Sequence, residues 1–142
     1  MTETHVSDVM EKAVRSGPSS VPVTAAVTEF TRHDIGSIVA VDEETGDLKG
    51  IVTKSDIFEV VSEGADLSAV ALSDIMSTPV VTIASDESVV TAAERMKAHS
   101  VRRLPVVENG DLVGVVTTKD LTHHIPELVD DGRPRHEARN DG

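Results

Sequence analysis

Apolar positions along the chain fall into two superimposable series. Val23, Ala26, Val27 and Phe30 stand at i, i+3, i+4 and i+7, and 66 residues later Val89, Ala92, Ala93 and Met96 repeat the spacing. That period puts four side chains on one face of an amphipathic helix, so two such helices are predicted. Each is followed by an apolar run of strand length, Ile38-Val39-Ala40-Val41 in one copy and Leu104-Pro105-Val106-Val107 in the other. The same offset carries Asp8-Val9-Met10 onto Asp74-Ile75-Met76, and His33 onto His99.

Beyond these runs the offset falls to 64, pairing Gly46-Asp47-Leu48 with Gly110-Asp111-Leu112 and Gly50-Ile51-Val52-Thr53 with Gly114-Val115-Val116-Thr117. The length difference lies between Asp42 and Gly46, against Glu108-Asn109-Gly110. Asn-Gly signals a type I′ turn, and a gap confined to a turn predicts a hairpin in both copies. Each copy therefore reads as a short strand, a helix, a hairpin and a second helix.

Ser85, ahead of Asp86-Glu87-Ser88, is expected to cap the first helix of copy two, and Ser20 with Pro22 that of copy one. The helices after the hairpins should start near Ser55 and Lys119, the earlier one ending at Gly64. Arg15-Ser16-Gly17-Pro18 stands where copy two has Val81-Thr82-Ile83-Ala84, so the first strand of copy one is expected to be short or irregular. Copy one is placed at residues 4–64, a connector at 65–71, copy two at 72–128, and a polar, proline-interrupted, frayed tail at 129–142. A copy of roughly 60 residues is marginal alone. The expected fold is α+β: two β-α-β-β-α repeats packed through their sheets about a pseudo-twofold axis.

Composition narrows the function. Asp and Glu number 25 against 13 Lys and Arg, a formal charge of −12, which repels nucleic acid polymers and anionic membranes. With no cysteine, a disulfide scaffold, a thiolate zinc site and a cysteine nucleophile are excluded. Aromatic residues are 1% and hydrophobic residues 39%, so the core must be aliphatic. No apolar stretch reaches the ~18 residues that span a bilayer, and the acidic N-terminus lacks a signal-peptide pattern, so a cytoplasmic protein is expected. The acidic balance, with arginine outnumbering lysine, fits a salt-rich, halophilic interior. His123 and His124 are adjacent and so do not form an i, i+4 metal pair; His124 takes the repeat position of Val60, expected to face the core. No carboxylate dyad, nucleophile elbow or Walker A loop is present, so no enzyme is expected.

One motif closes the hairpin of each copy: Gly50-Ile51-Val52-Thr53-Lys54-Ser55-Asp56 and Gly114-Val115-Val116-Thr117-Thr118-Lys119-Asp120, a G-h-h-T-x-x-D pattern that ends a strand and opens a helix. Two readings compete. A capping box needs Thr at the N-cap and an acidic residue three positions on. A ligand site uses the same geometry, with free amides and a hydroxyl for phosphate and a carboxylate for vicinal ribose hydroxyls. The two are compatible.

The repeated unit, with Asp-h-Met at its start, His33 and His99 at helix ends, Leu104-Pro105-Val106-Val107 and both G-h-h-T-x-x-D segments, resembles the cystathionine-β-synthase (CBS) domain, over about residues 4–126. The chain resembles a stand-alone tandem CBS pair. The resemblance implies a regulatory, energy-sensing module that binds AMP, ADP or ATP in two clefts between the repeats and relays the change to a partner protein, as a homodimer. By position, Asp56 and Asp120 would hold ribose, and Thr53 and Thr117 approach phosphate, with Ser55 and Lys119 inside the same motifs. Adenine would lie near Val14 and Arg15, or Val80 and Val81, beside Ile51 and Val115. Arg102 and Arg103 precede the hairpin of copy two where copy one has Gly36 and Ser37, and Arg103 is expected to complete the cleft holding Thr53 and Asp56. S-adenosylmethionine, methylthioadenosine or NAD, or a scaffold with vestigial clefts, are the alternatives.

Overall fold

The structure, a computed structural model, describes residues 4–123. It divides into two compact units that do not follow the copies as read along the chain. One is Lys12–Val81; the other joins the residues up to Glu11 to those from Thr82 onward.

In the Lys12–Val81 unit, β1 (Arg15–Pro18), α2 (Val23–Arg32), β2 (Ser37–Val41), β3 (Leu48–Thr53) and α3 (Lys54–Ser62) follow the predicted order. β1 runs parallel to β2 and β2 antiparallel to β3, giving a three-stranded sheet. Its core is aliphatic: Val23, Ala26, Ile35, Ile38, Ala40, Val52 and Leu72 are buried, with Val27 and Phe30 packed half-buried against them. Burying each Val, Ile or Leu side chain among them is worth about 1.5–3 kcal/mol, and each alanine methyl less. A 3₁₀ turn (Leu67–Ala69) and the one-turn helix α4 (Leu72–Ile75) complete the unit.

The other unit repeats this plan with β4 (Ile83–Ala84), α5 (Val89–His99), β5 (Arg103–Glu108), β6 (Asp111–Thr117) and α6 (Thr118–Thr122), preceded by the one-turn helix α1 (Val6–Val9). Its sheet has the same order and senses. The registers shift at Ala40/Val41 and at Val106/Val107, matching positions in the two sheets. The predicted Asn-Gly turn is there: Asn109 and Gly110 have φ of 54° and 86°, and Glu108 pairs with Asp111.

The one-turn helices explain Asp-h-Met and the exchange of segments. Asp8 Oδ2 accepts the His5 amide at 2.9 Å and Asp74 Oδ2 accepts the Ala71 amide at 2.9 Å, so each aspartate caps its own turn. The helix of one copy then docks where the other copy's long helix begins. Val6 N donates to Glu87 O and Val89 N to Thr4 O; correspondingly, Leu72 N donates to Val21 O and Val23 N to Val70 O. Each methionine lies over a motif glycine, Met10 at Gly114 and Met76 at Gly50.

Three local expectations are corrected. The N-cap of α5 is Ser88, whose side chain accepts the Thr91 amide, while Ser85 bonds Glu108. Pro22 is the N-cap of α2 without a side-chain bond, and the Ser20 hydroxyl donates to Glu43. The first strand of copy one, four residues long, is longer than its two-residue counterpart, because Arg15–Pro18 pairs along β2 from Ile38 to Val41. Val60 is half-buried, and His124 and the tail lie outside the described residues. Among the described residues no helix is long and apolar enough to cross a membrane.

Candidate ligand site

Both G-h-h-T-x-x-D segments are realised as capping boxes. Thr53 N donates to Asp56 Oδ2 at 2.8 Å and Asp56 N to Thr53 Oγ1 at 3.3 Å. In the other unit Thr117 N donates to Asp120 Oδ2 at 2.9 Å and Asp120 N to Thr117 Oγ1 at 3.2 Å. The hairpin delivers the threonine to the last strand position, and the helix begins at the next residue. These bonds engage one carboxylate oxygen and one lone pair of the hydroxyl, which leaves acceptor capacity on each aspartate for hydroxyl donors. Asp56 and Asp120 are part-exposed, while Ser55 and Lys119 are exposed.

The motif strands are pinned at their outer edge. Ile51 and Ser77 exchange amide bonds at 3.2 and 2.9 Å, as do Val115 and Glu11 at 3.0 and 2.9 Å. Val115 is buried and Ile51 half-buried.

Val14 and Arg15 line a groove of about 450 Å³ between β1 and α2, with Gly17, Ala26, Glu29 and Ile38 among its walls. That volume lies within the range of small-molecule sites, ~300–1,000 Å³. A Cβ at Gly17 would meet nothing within 4 Å. Arg15 Nε bonds Glu29 Oε1 at 2.9 Å, so its charge is already paired. Glu29 escaped the sequence reading, since only the folded β1–α2 crossing brings it to Arg15. Thr53, Asp56 and Ile51 do not line this groove. Val80 and Val81 are half-buried and precede β4 rather than forming its strand.

The two motifs differ in what stands across the ladder. Arg103 pairs with Thr117, and Ser37 with Thr53. The carbonyl of Arg102 accepts from Thr118 N at 3.0 Å. The buried Nε of Arg103 has no hydrogen-bond partner among the described residues. Among those residues no group of three or more His, Asp or Glu could hold a metal ion.

Comparison with known proteins gives this geometry a setting. The CBS domain family model matches residues 6–63 and 72–127. An uncharacterized protein of Methanopyrus kandleri, MK0525, is 36% identical over 131 residues, covering 91% of this chain and 66% of its own length. A homoserine O-acetyltransferase of Methanococcoides burtonii is 34% identical over 88% of this chain, yet the match spans only 25% of that protein. Among solved structures, the CBS domain pair of protein MJ0100 in complex with methylthioadenosine and S-adenosylmethionine is similar with a TM-score of 0.72 and 28% identity, over 87% of this chain and 97% of its own. A CBS domain protein of Pyrobaculum aerophilum, PAE2072, complexed with AMP, has a TM-score of 0.75 and 26% identity, over 89% and 98%.

Proposed function

Because the chain belongs to the CBS domain family and carries the domain twice, we propose that it is a regulatory module that binds adenosine derivatives, with AMP, ADP or ATP as its ligands, and has no catalysis of its own. The duplicated capping geometry carries this reading: two strand ends present the same Thr–Asp pair, at nearly the same hydrogen-bond distances, in a fold whose solved relatives hold AMP or S-adenosylmethionine and methylthioadenosine. Asp56 and Asp120 hold the ribose hydroxyls, Thr53 and Thr117 face the phosphate side, and Arg102 and Arg103 supply positive charge in a chain of net −12. The ligand acts by its different affinity for two conformations, and the shift passes to a partner protein. Exposed Phe58 and Val61 on α3 support a homodimer through that face.

Titration calorimetry of the full chain with AMP, ADP and ATP tests the reading. Binding of at least one, weakened by Asp56→Ala or Asp120→Ala, supports it; binding of none, with an unchanged melting temperature in millimolar nucleotide, assigns a scaffold role instead. S-adenosylmethionine or methylthioadenosine is the second reading, favoured by the ligands of the MJ0100 pair. Mass spectrometry of small molecules retained through mild purification separates the two.

A further inference from the structure

We infer that two copies of this chain pair reciprocally, Phe58 on α3 of each chain seating in the apolar groove between α5 and α6 of the other. The inference rests on the homodimer reading above and names the surface that receives α3.

The groove has a volume of about 340 Å³ and is walled by Ala93, Met96 and Lys97 of α5, by Val101, and by Leu121 and Thr122 of α6. Met96 and Leu121 are buried at its floor, while Lys97 and Thr122 are exposed at its rim. The repeat gives these residues counterparts in copy one: Phe30 for Met96 at the offset of 66, and Phe58 for Thr122 at the offset of 64. Both phenylalanines of the chain thus fall in copy one, and copy two has a smaller side chain at each position. Phe30 is half-buried, with Lys54 Nζ 5.9 Å from its ring centroid, so that ring is covered within its own unit. Phe58 is 74% exposed, and Val61, three residues on along the same helix face, is 49% exposed. One copy therefore presents a knob where the other presents a hole. A phenylalanine side chain buries ~150–250 Å² when fully seated, and an aromatic anchor in a pocket is the usual centre of a stable interface.

Charge selects the same pairing. Glu59 and Glu63 are exposed on either side of Val61, and Lys54, the one cation of α3, is drawn onto Phe30. An α3–α3 contact would set these carboxylates against their own copies in a chain of net −12, a like-charge juxtaposition that costs affinity. The groove offers Lys97 at its rim, where copy one has the neutral Thr31. The same contact made in both directions is isologous and closes at two chains.

The chain has no cysteine, so introduced thiols report the contact without background. The test takes the full chain as wild type, Thr122→Phe, Val61→Cys, Lys97→Cys and the double variant Val61→Cys/Lys97→Cys, each checked for fold by far-UV circular dichroism. Sedimentation equilibrium of wild type should report two chains. Thr122→Phe fills the groove from its own helix and should raise the dimer dissociation constant about tenfold or more, the scale of losing a buried anchor. A flexible bismaleimide should link chains in the double variant and in neither single one. A dimer that either single variant cross-links as fully as the double one sets like surfaces together; it overturns the inference and leaves the homodimer reading standing. An unchanged or tighter Thr122→Phe dimer overturns it in the same way. A dimer that none of the variants cross-links lies on another face and overturns it too, as does assembly beyond two chains. A monomeric wild type ends the homodimer reading and the inference together, and leaves the groove to residues 124–142 or to a different protein.

Discussion

Replacing Gly114 with alanine puts a methyl group where the structure has no room. A Cβ on its backbone would lie 2.6 Å from Met10 Sδ and 2.8 Å from the carbonyl oxygen of Glu11. The thioether can swing aside; the carbonyl is fixed, because it accepts Val115 N at 3.0 Å while Glu11 N donates back at 2.9 Å. Gly50 is similarly tight against Met76, with contacts of 2.6 Å to both Cγ and Sδ. Gly17, also in a strand, has nothing within 4 Å. Overpacking a close-packed core costs about 1–3 kcal/mol, so Gly114→Ala should fall near the top of that range and Gly50→Ala within it. Gly17→Ala, which only restricts the unfolded chain, should be neutral or stabilising by up to about 1 kcal/mol. Met10→Ala should relieve part of the Gly114→Ala cost and leave the carbonyl contact in place. Urea melts followed by far-UV circular dichroism are the suitable assay, since the chain holds neither Trp nor Tyr. Equal costs at Gly114 and Gly17, or full relief by Met10→Ala, would refute the reasoning.

Three further outcomes are expected. Thr53→Ala and Thr117→Ala each remove a cap that accepts a helix amide and should cost about 0.5–2 kcal/mol in the same melts, with serine restoring most of it. Phe58, 74% exposed on α3, should become a charged wedge in Phe58→Asp, and sedimentation should then report monomers with an unaltered far-UV spectrum; an unshifted sedimentation coefficient counts against a dimer through α3. Amide bonds from Thr45 and then Glu44 hold the Asp42 carboxyl below its ordinary value. Its folded value is thus the lower one, so its contribution is present above the ordinary carboxylate range and lost as pH falls through the folded value. Asp42→Asn should flatten the acid limb of the melting-temperature profile, and an unchanged limb rejects that assignment.

Helices and hairpins were legible because they announce themselves locally. Val89, Ala92 and Met96 are buried at the predicted period, and Asn109-Gly110 adopts the positive φ its residue types require. Thr and Asp three residues apart sufficed to read both capping boxes. The one-turn helices were not legible, since four residues carry no periodicity and their aspartates bond amides that precede them. The α5 cap lies three residues beyond Ser85: a run with two serines offers two candidates, and only the folded contacts, Ser88 Oγ accepting the Thr91 amide and Ser85 bonding Glu108, decide between them. Arg15–Pro18 reads as irregular on the sequence because of its Gly and Pro, whereas a parallel partner along β2 supplies regular pairing over four residues. Arg103 opposite Thr117 follows from hairpin register and was therefore within reach; Glu29 beside Arg15 depends on the packing of α2 and was not.

The crossing of α1 and α4 between copies changes what counts as a piece of this protein. A cut anywhere in residues 65–71, the natural choice on the sequence, would leave the first fragment holding α1 without Val89 or Glu87 to dock on, and the second holding α4 without Val21. Two cuts, at Glu11–Lys12 and Val81–Thr82, respect the compact units instead. In that description Lys12–Val81 is an insertion with its own sheet and core, placed within a host whose ends are far apart in sequence. Any engineered fusion or single-repeat expression that treats the copies as beads on a string will therefore begin with two incomplete parts.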